Sequence, residues 1–303
     1  MPALLSVDWG TSSLRVYLLA PDGTIEDERD APLGIMNIGD GRFAAALEAV
    51  CRPWLDRHGP LPAMLSGMIG SRQGWVEAPY LPCPVDGDAL ARHLTPIPVQ
   101  GFGPVLLAPG VTVRGAGGVP DVMRGEECQV VGALALSGRR DGCFLLPGTH
   151  SKRVEVDDGC ITGFRTYMTG EAFAALRHHT ILGRLMGTEP GDGSGFDRGV
   201  DAARGLPGAG GLLHALFSAR SLRLFDELPE KEAADYLSGL LIGAELADAP
   251  SPGDMVTLIG GAALVDRYGR AAARLGIPTE VAPPACVRAG HLALARRAGL
   301  LPA

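Results

Sequence analysis

Leu4-Leu5-Ser6-Val7-Asp8-Trp9-Gly10-Thr11-Ser12-Ser13-Leu14-Arg15 is the stretch from which the fold is read. Leu4, Leu5 and Val7 form an apolar run with the pattern of a buried strand, and Leu14-Arg15-Val16-Tyr17-Leu18-Leu19 resumes β-prone residues. Between them a polar tip turns the chain. Gly10 can adopt backbone angles that other residues avoid, which lets the main chain approach an anion closely. Thr11, Ser12 and Ser13 offer amides and hydroxyls to phosphoryl oxygens. Asp8 ends the strand facing this tip, where a carboxylate would hold a hydrated Mg²⁺ against phosphates. The plainer alternative is a hairpin turn that uses Asp, Gly, Thr and Ser because turns favour them.

Outward from this hairpin, Pro21-Asp22-Gly23 marks a second tight turn and completes a meander. A similar pattern returns in the middle of the chain. Cys143-Phe144-Leu145-Leu146 leads to the tip Pro147-Gly148-Thr149-His150-Ser151-Lys152, then to Arg153-Val154-Glu155-Val156 and the turn Asp157-Asp158-Gly159. Residues 4–30 and 143–166 are thus alike in kind, though not in letters, and two lobes with the same meander are expected. Helical spacing covers Arg42–Leu55, Gly87–His93 and Cys128–Ser137 in the first half. The second half reads as mainly helical: Gly170–Leu185, Phe196–Gly205, Leu212–Leu224, Glu230–Ala247, Ala262–Leu275 and His291–Gly299. A late strand, Asp254–Ile259, runs into Gly260-Gly261.

Composition narrows the function classes. The 303 residues include 46% hydrophobic and 20% charged side chains, an ordinary globular balance. A net charge of -7 argues against a nucleic-acid surface, which needs a basic stripe. No apolar stretch reaches about 18 residues, so no membrane span is expected. The six cysteines form no CxxC pair and no secretion signal is visible, which predicts reduced thiols and a cytoplasmic protein. His178-His179 lacks ligand spacing for zinc. Gly115-Ala116-Gly117-Gly118 is not followed by Lys-Ser/Thr and is no P-loop, and Asp192-Gly193-Ser194-Gly195 reads as a linker.

Two Gly-Thr tips followed by a strand ending in Gly-Gly resemble, in their order, the phosphate-1, phosphate-2 and adenosine motifs of the sugar kinase/actin/Hsp70 superfamily. Asp8-Trp9-Gly10-Thr11-Ser12, Pro147-Gly148-Thr149-His150-Ser151 and Ile259-Gly260-Gly261-Ala262 carry that likeness. Longer words are closer to one branch. Ser66-Gly67-Met68-Ile69-Gly70-Ser71-Arg72-Gln73-Gly74-Trp75, Arg124-Gly125-Glu126-Glu127, Leu146–Lys152 and Met168-Thr169-Gly170-Glu171 resemble the 2-dehydro-3-deoxygalactonokinase family over essentially the whole chain. The resemblance implies an α/β protein with the two-lobed actin-like ATPase (ribonuclease H-like) fold, a β-meander core in each lobe and a central cleft. It implies a kinase using ATP and Mg²⁺ on the 6-hydroxyl of 2-dehydro-3-deoxy-D-galactonate, in galactonate catabolism. The expected lobes are 1–138, with phosphate-1 and sugar-acid binding, and 139–303, with phosphate-2 and adenosine binding and a last helix that can pack back on the first lobe.

Phosphoryl transfer needs a phosphate cradle, an oriented hydroxyl and an acceptor for its proton. The resemblance places Asp8, Gly10, Thr11, Ser12, Gly148, Thr149, His150, Ser151, Gly260 and Gly261 on the nucleotide, with Asp8 toward the metal. Lys152 could add positive charge at the transferring group, whereas Arg15 lies farther along its strand and reads as a solvated cation. In the superfamily the proton acceptor is an Asp opening an apolar helix. Here Glu126 stands in that context, and Asp121 is the other candidate. Glu127 is expected to face solvent or to cap the helix start. Guanidinium groups suit a substrate carboxylate, so Arg72 and Arg124 are the substrate candidates, with Gln73 for a hydroxyl or oxo oxygen. Trp75 packs either on the sugar or in the core, and Thr169 either lines the pocket or caps a helix.

The partner implied is a small-molecule sugar acid, with no nucleic acid and no membrane; a homo-oligomer is left open. Two rival readings stand beside this one: a kinase of the same fold acting on another sugar or sugar acid, and a non-catalytic nucleotide-binding regulator.

Overall fold

Strand β1 (Leu4–Trp9) buries every residue except Asp8, which is half-buried. Alternating residues of β2 (Leu14–Leu19) do the same on one face, and the more polar β3 (Ile25–Ala31) closes the meander at the sheet edge. The computed structural model describes residues 4–206, 210–248 and 255–301. The first half continues with α1 (Phe43–His58), β4 (Ala63–Ser66), β5 (Tyr80–Pro82), β6 (Val85–Asp86), α2 (Gly87–Arg92), β7 (Thr95–Pro96), β8 (Val105–Leu107), β9 (Gly110–Arg114), β10 (Pro120–Met123) and α3 (Glu126–Ser137). The second half holds β11 (Gly142–Leu146), β12 (Ser151–Asp157), β13 (Cys160–Tyr167), α4 (Thr169–His179), α5 (Ser194–Ala202), α6 (Gly211–Leu216) and α7 (Ser218–Leu224). It ends with α8 (Ala233–Leu246), β14 (Val256–Leu258), α9 (Ala262–Leu275), β15 (Thr279–Val281) and α10 (Cys286–Arg297).

The chain divides into two compact units, Met1–Asp141 with Val154–Phe164 and Pro283–Ala303, and Gly142–Arg153 with Arg165–Ala282. The lobes expected from the sequence are 1–138 and 139–303, with a last helix that can pack back on the first; the first unit here takes in 154–164 and 283–303 as well. The chain changes unit inside β12 and again inside β13, and α10 belongs to the first unit.

In the first unit, six strands run in the order β3-β2-β1-β4-β8-β7. β1 is antiparallel to β2 and parallel to β4, with Asp8 opposite Ser66. This register puts the ends of both central strands at one edge, the arrangement by which open α/β sheets present ligand-binding loops. Helix α10 lies against α3 at backbone contact. A Cβ on Gly132 would sit 1.8 Å from the Cys286 carbonyl oxygen, and one on Gly290 1.9 Å from that of Cys128. Only glycine fits at either position.

In the second unit, β14 lies between β15 and β11, all parallel, and β12 and β13 extend the sheet. Helix α8 is apolar nearly all round and correspondingly buried, the pattern of a central helix. Its C-terminal end is tied to the sheet at Asp248, whose carboxylate accepts from Arg165 and Tyr167 at 2.6 Å each.

Three helix boundaries differ from expectation. The helix expected over Gly170–Leu185 stops at His179, because the Thr180 hydroxyl bonds back to the Leu176 carbonyl and Thr180 takes extended angles. Leu212–Leu224 is two helices, α6 and α7, joined at Phe217. The final helix begins earlier, at Cys286. The late strand is confined to Val256–Leu258, and Asp254 lies outside the described residues.

Candidate active site

In the first unit the tip after β1 is closed by the Gly10 amide donating to the Ser13 carbonyl at 2.9 Å. Thr11 and Ser12 are exposed at its apex, and the Asn37 side chain braces it from below by donating to the Ser12 carbonyl. Gly67 packs against the end of β1. A Cβ there would lie 2.7 Å from the Trp9 carbonyl oxygen and 3.5 Å from Asp8 Oδ1, at a φ of +95° that side chains rarely adopt. Gly125 packs on Gly67 in turn, with its own Cβ position 3.2 Å from the Gly67 Cα. The first turn of α3 is thereby brought to the strand end that carries Asp8. Burial raises the Asp8 pKa, with Arg15 opposing and Asp30 reinforcing the shift. Arg15 itself is exposed and paired with Asp30 at 3.0 Å.

The three carboxylates near α3 have different surroundings. Asp121 is on β10, where its carboxylate accepts from the Val122 amide. Glu126 is half-buried in the first turn and accepts from the Arg124 amide at 2.9 Å. Glu127 is fully buried, so of its two expected placements, solvent or helix cap, the first does not hold. Both its oxygens accept from the Gly125 amide, at 2.9 and 2.7 Å, so it caps the helix start from inside. Burial, reinforced by the neighbouring Glu126 charge, pushes the Glu127 pKa up to about 8.

Arg124 is buried, with its guanidinium over the Tyr80 ring at 4.2 Å and Nη2 donating to the Ala78 carbonyl at 2.8 Å. Nη1 lies against Gly70 and has no hydrogen-bond partner among the described residues. Arg72 and Gln73 are exposed on the turn that follows Gly70. Trp75 belongs to the core, packed edge-on to Trp9 and stacked with Phe43.

In the second unit the tip 147–150 interlocks with the start of α4. A Cβ on Gly170 would sit 2.4 Å from the Gly148 carbonyl oxygen, and the Glu171 amide donates to the Thr149 carbonyl at 2.9 Å. Exposed His150 pairs with Glu171 at 2.5 Å. Thr169 does not cap α4, since Met168 occupies that position; its hydroxyl donates instead to Glu245. The Ser151 hydroxyl also donates to Glu245, at 2.6 Å, which leaves the main chain of this residue as its contribution to the tip. Lys152 is buried and its ammonium donates to Thr166 at 2.7 Å, so it does not stand free at the apex. Gly260 lies beside Pro147, and Gly261 precedes the first turn of α9. Beside Gly148 and Gly170 opens a cavity of about 250 Å³. Phe173, Leu241, Ile242 and Leu264 give it apolar walls, and Gly148, Ser238 and the Asp235–Arg267 pair give it polar ones.

Comparison with known proteins decides the family. A profile of the 2-keto-3-deoxy-galactonokinase family matches residues 8–294. The chain belongs to that family. The 2-dehydro-3-deoxygalactonokinase of Escherichia coli K12 is 32% identical over 295 residues, covering 96% of this chain and 97% of that one. A Sinorhizobium meliloti crystal structure named for the same activity superposes with a TM-score of 0.86 at 34% identity, covering 97% and 96%. A Lactobacillus acidophilus xylulose kinase, 10% identical over 100% of this chain and 91% of its own, superposes at 0.53 and shares the fold. The fold is the two-lobed actin-like ATPase fold.

The span matched by the galactonokinase family takes in each candidate residue from Asp8 to Gly261. Within it, the first unit gathers Asp8, Gly67, Gly125 and Glu126, and the second gathers Gly148, Gly170, Gly260 and the cavity. Sequence reasoning missed two buried acids. Glu127 carried a signal in being the second acid of a pair that opens an apolar helix. Glu245 carried one in being the one charged residue of the otherwise mostly apolar Leu237–Leu246, where a charge implies a built set of partners. Among the described residues no group of three or more His, Cys, Asp or Glu could hold a metal ion, and no helix is long and apolar enough to cross a membrane.

Proposed function

We propose that this chain is an ATP-dependent kinase that phosphorylates the 6-hydroxyl of 2-dehydro-3-deoxy-D-galactonate, giving 2-dehydro-3-deoxy-6-phosphogalactonate in galactonate catabolism. The observation that carries the reading is family membership over residues 8–294. The mostly apolar cavity beside Gly148 and Gly170 suits a nucleoside, and the tip 147–150 suits the phosphates that follow it. Arg124, with a buried guanidinium nitrogen lacking a partner among the described residues, suits the substrate carboxylate. Exposed Arg72 and Gln73 would complete that contact.

Glu126 takes the proton of the 6-hydroxyl as its oxygen attacks the γ-phosphorus, and ADP leaves. Its place in the α3 turn that packs by Gly125 and Gly67 against the Asp8 strand end favours it over Asp121. Mg²⁺ would supply charge neutralisation for the phosphates. Asp8 fits it: the carboxylate is one whose ionised form burial disfavours, and the missing Cβ of Gly67 leaves room beside Oδ1. A single carboxylate matches a cation that keeps its waters and arrives with the nucleotide.

The test is ADP release by the purified protein with ATP and Mg²⁺ over a panel of 2-dehydro-3-deoxygalactonate, its gluconate epimer, galactonate and neutral hexoses. Turnover on the galactonate-derived keto acid is expected. Faster turnover on a neutral hexose would overturn the substrate assignment, and nucleotide binding without turnover on any acceptor would overturn the kinase.

A further inference from the structure

Three hydroxyls from separate elements converge on one buried acid in the second unit. Glu245, 6% exposed near the end of α8, accepts from Ser151 at 2.6 Å on Oε1. On Oε2 it accepts from Tyr268 at 2.7 Å and from Thr169. Ser151 is the residue at which the tip 147–150 enters β12, Thr169 opens α4, and Tyr268 is on α9. Thr169 and Tyr268 also line the cavity. Burial raises the Glu245 pKa and the hydroxyls pull it back, so the acid depends on them for what solvation it has.

We infer that Glu245 is the positioning residue for the phosphoryl donor: it pins the tip, the start of α4 and the inner face of α9 to one another, and so sets the nucleotide-facing surface of the unit. A core acid with a purely local role would bond its own helix. This one bonds none of α8 through its side chain and reaches three elements that border the cavity. Gly170 interlocks with the Gly148 carbonyl beside the Thr169 link, so a loosened link would let α4 and the tip part. Glu245 itself touches no reacting atom. The inference rests on the kinase reading for its acceptor, but not for its nucleotide.

The test uses the full chain and two readouts. The first is the Kd of a fluorescent ADP derivative, which needs no acceptor. The second is the pair of KM values for ATP and for the keto acid. Glu245→Ala is expected to weaken nucleotide binding and to raise the KM for ATP about tenfold or more, with the keto-acid KM within about twofold. Glu245→Gln, whose amide can still accept from two hydroxyls and donate to the third, is expected to recover most of that loss. Ser151→Ala and Thr169→Val each remove one link without emptying the core, and each is expected to weaken the nucleotide Kd by a smaller factor. They carry the test if Glu245→Ala does not fold. An unchanged nucleotide Kd in these variants would overturn the inference, as would equal rises in both KM values. Absence of turnover in the unmodified protein, with the Kd differences intact, would instead condemn the acceptor assignment.

Discussion

The Ser6 hydroxyl lies 2.7 Å from Nδ1 of His291, a contact that spans 285 positions of the chain. Both residues are fully buried, and Nε2 of His291 has no partner among the described residues. The bond joins the first strand to the last helix, whose Gly290 already rests on α3. Ser6→Ala should therefore destabilise the protein by about 1–3 kcal/mol, because it leaves a second buried ring nitrogen unmade. Urea unfolding at neutral pH measures this. A change within experimental scatter would mean that the ring relaxes to another partner.

His291 and Glu127 also predict opposite pH dependences of stability. Burial pushes the His291 pKa down to about 3 from 6.5, so between those values the unfolded chain binds the extra proton and stability rises with pH. The Glu127 carboxyl is raised from 4.5 to about 8, so the folded chain binds the extra proton in that window. Its contribution is fully present below 4.5 and is lost as pH rises through 8. The windows overlap in the middle, so the discriminating ranges lie outside it. From pH 6.5 to 8, Glu127→Gln should flatten a decline of at most about 1.4 kcal/mol per pH unit. Thermal unfolding at a series of pH values, compared between the two proteins, would show parallel curves if Glu127 were ionised throughout.

The tips at Gly10 and Gly148, the two meanders and the late Gly260-Gly261 turn are local features, set by strand periodicity and turn residues a few positions apart, and the sequence displayed them. The α9 helix over Ala262–Leu275 was legible for the same reason. What the sequence hid depends on distant packing. The acid pair opening an apolar helix hints at Glu127, but the strand end carrying Asp8 meets the helix start only through distant packing, with Gly125 resting on Gly67. Nothing near Ser151 announces that its hydroxyl turns away from the tip, since Glu245 is 94 positions later. The helix ends at His179 and Leu216 are not visible because apolar spacing continues past Thr180 and Ser218, whose hydroxyls bond back to the Leu176 and Ala215 carbonyls. The passage of 154–164 into the first unit was hidden as well, because it begins inside β12 and ends inside β13, where the strand pattern is unbroken.

Arg124 gives a prediction about the acceptor alone. Its Nε faces the Tyr80 hydroxyl at 3.4 Å, Nη2 is held by Ala78, and Nη1 lies against Gly70 without a partner among the described residues. Lysine cannot reproduce a planar group stacked on a ring with two fixed donors. Arg124→Lys should raise the KM for the keto acid by about tenfold or more, leaving the KM for ATP close to that of the parent. Steady-state kinetics with each substrate varied in turn would expose an equal rise in both, which would make Arg124 a structural residue.

Asp8 should show activity and stability moving apart. Its charge is disfavoured by burial, with Arg15 the cation that opposes the shift. Asp8→Asn removes that charge while keeping the shape, so the melting temperature should stay level or rise. Turnover should fall by about 100-fold or more, since the metal-facing carboxylate is gone, and added Mg²⁺ should not restore it. Full activity in this variant would remove Asp8 from the metal.

The choice between Glu126 and Asp121 is the sharpest question for the chemistry. Glu126 opens α3, and its neighbour Gly125 is in contact with Gly67 beside Asp8; Asp121 belongs to β10, opposite Val113 of β9. A general base contributes about 10²–10⁴-fold to rate, whereas a carboxylate that accepts from its neighbouring amide contributes to local order. Glu126→Gln keeps an acceptor for the Arg124 amide, so its fold should survive, and its kcat should fall by about 100-fold or more with little change in either KM. Asp121→Asn should keep kcat within about threefold, because an amide oxygen still accepts from Val122. The reverse outcome would transfer the base to Asp121. Equal, near-parental rates in both would leave Glu127, raised to about 8 by its burial, as the acid next to the strand end, and the pH profile of kcat in Glu127→Gln would then decide its part.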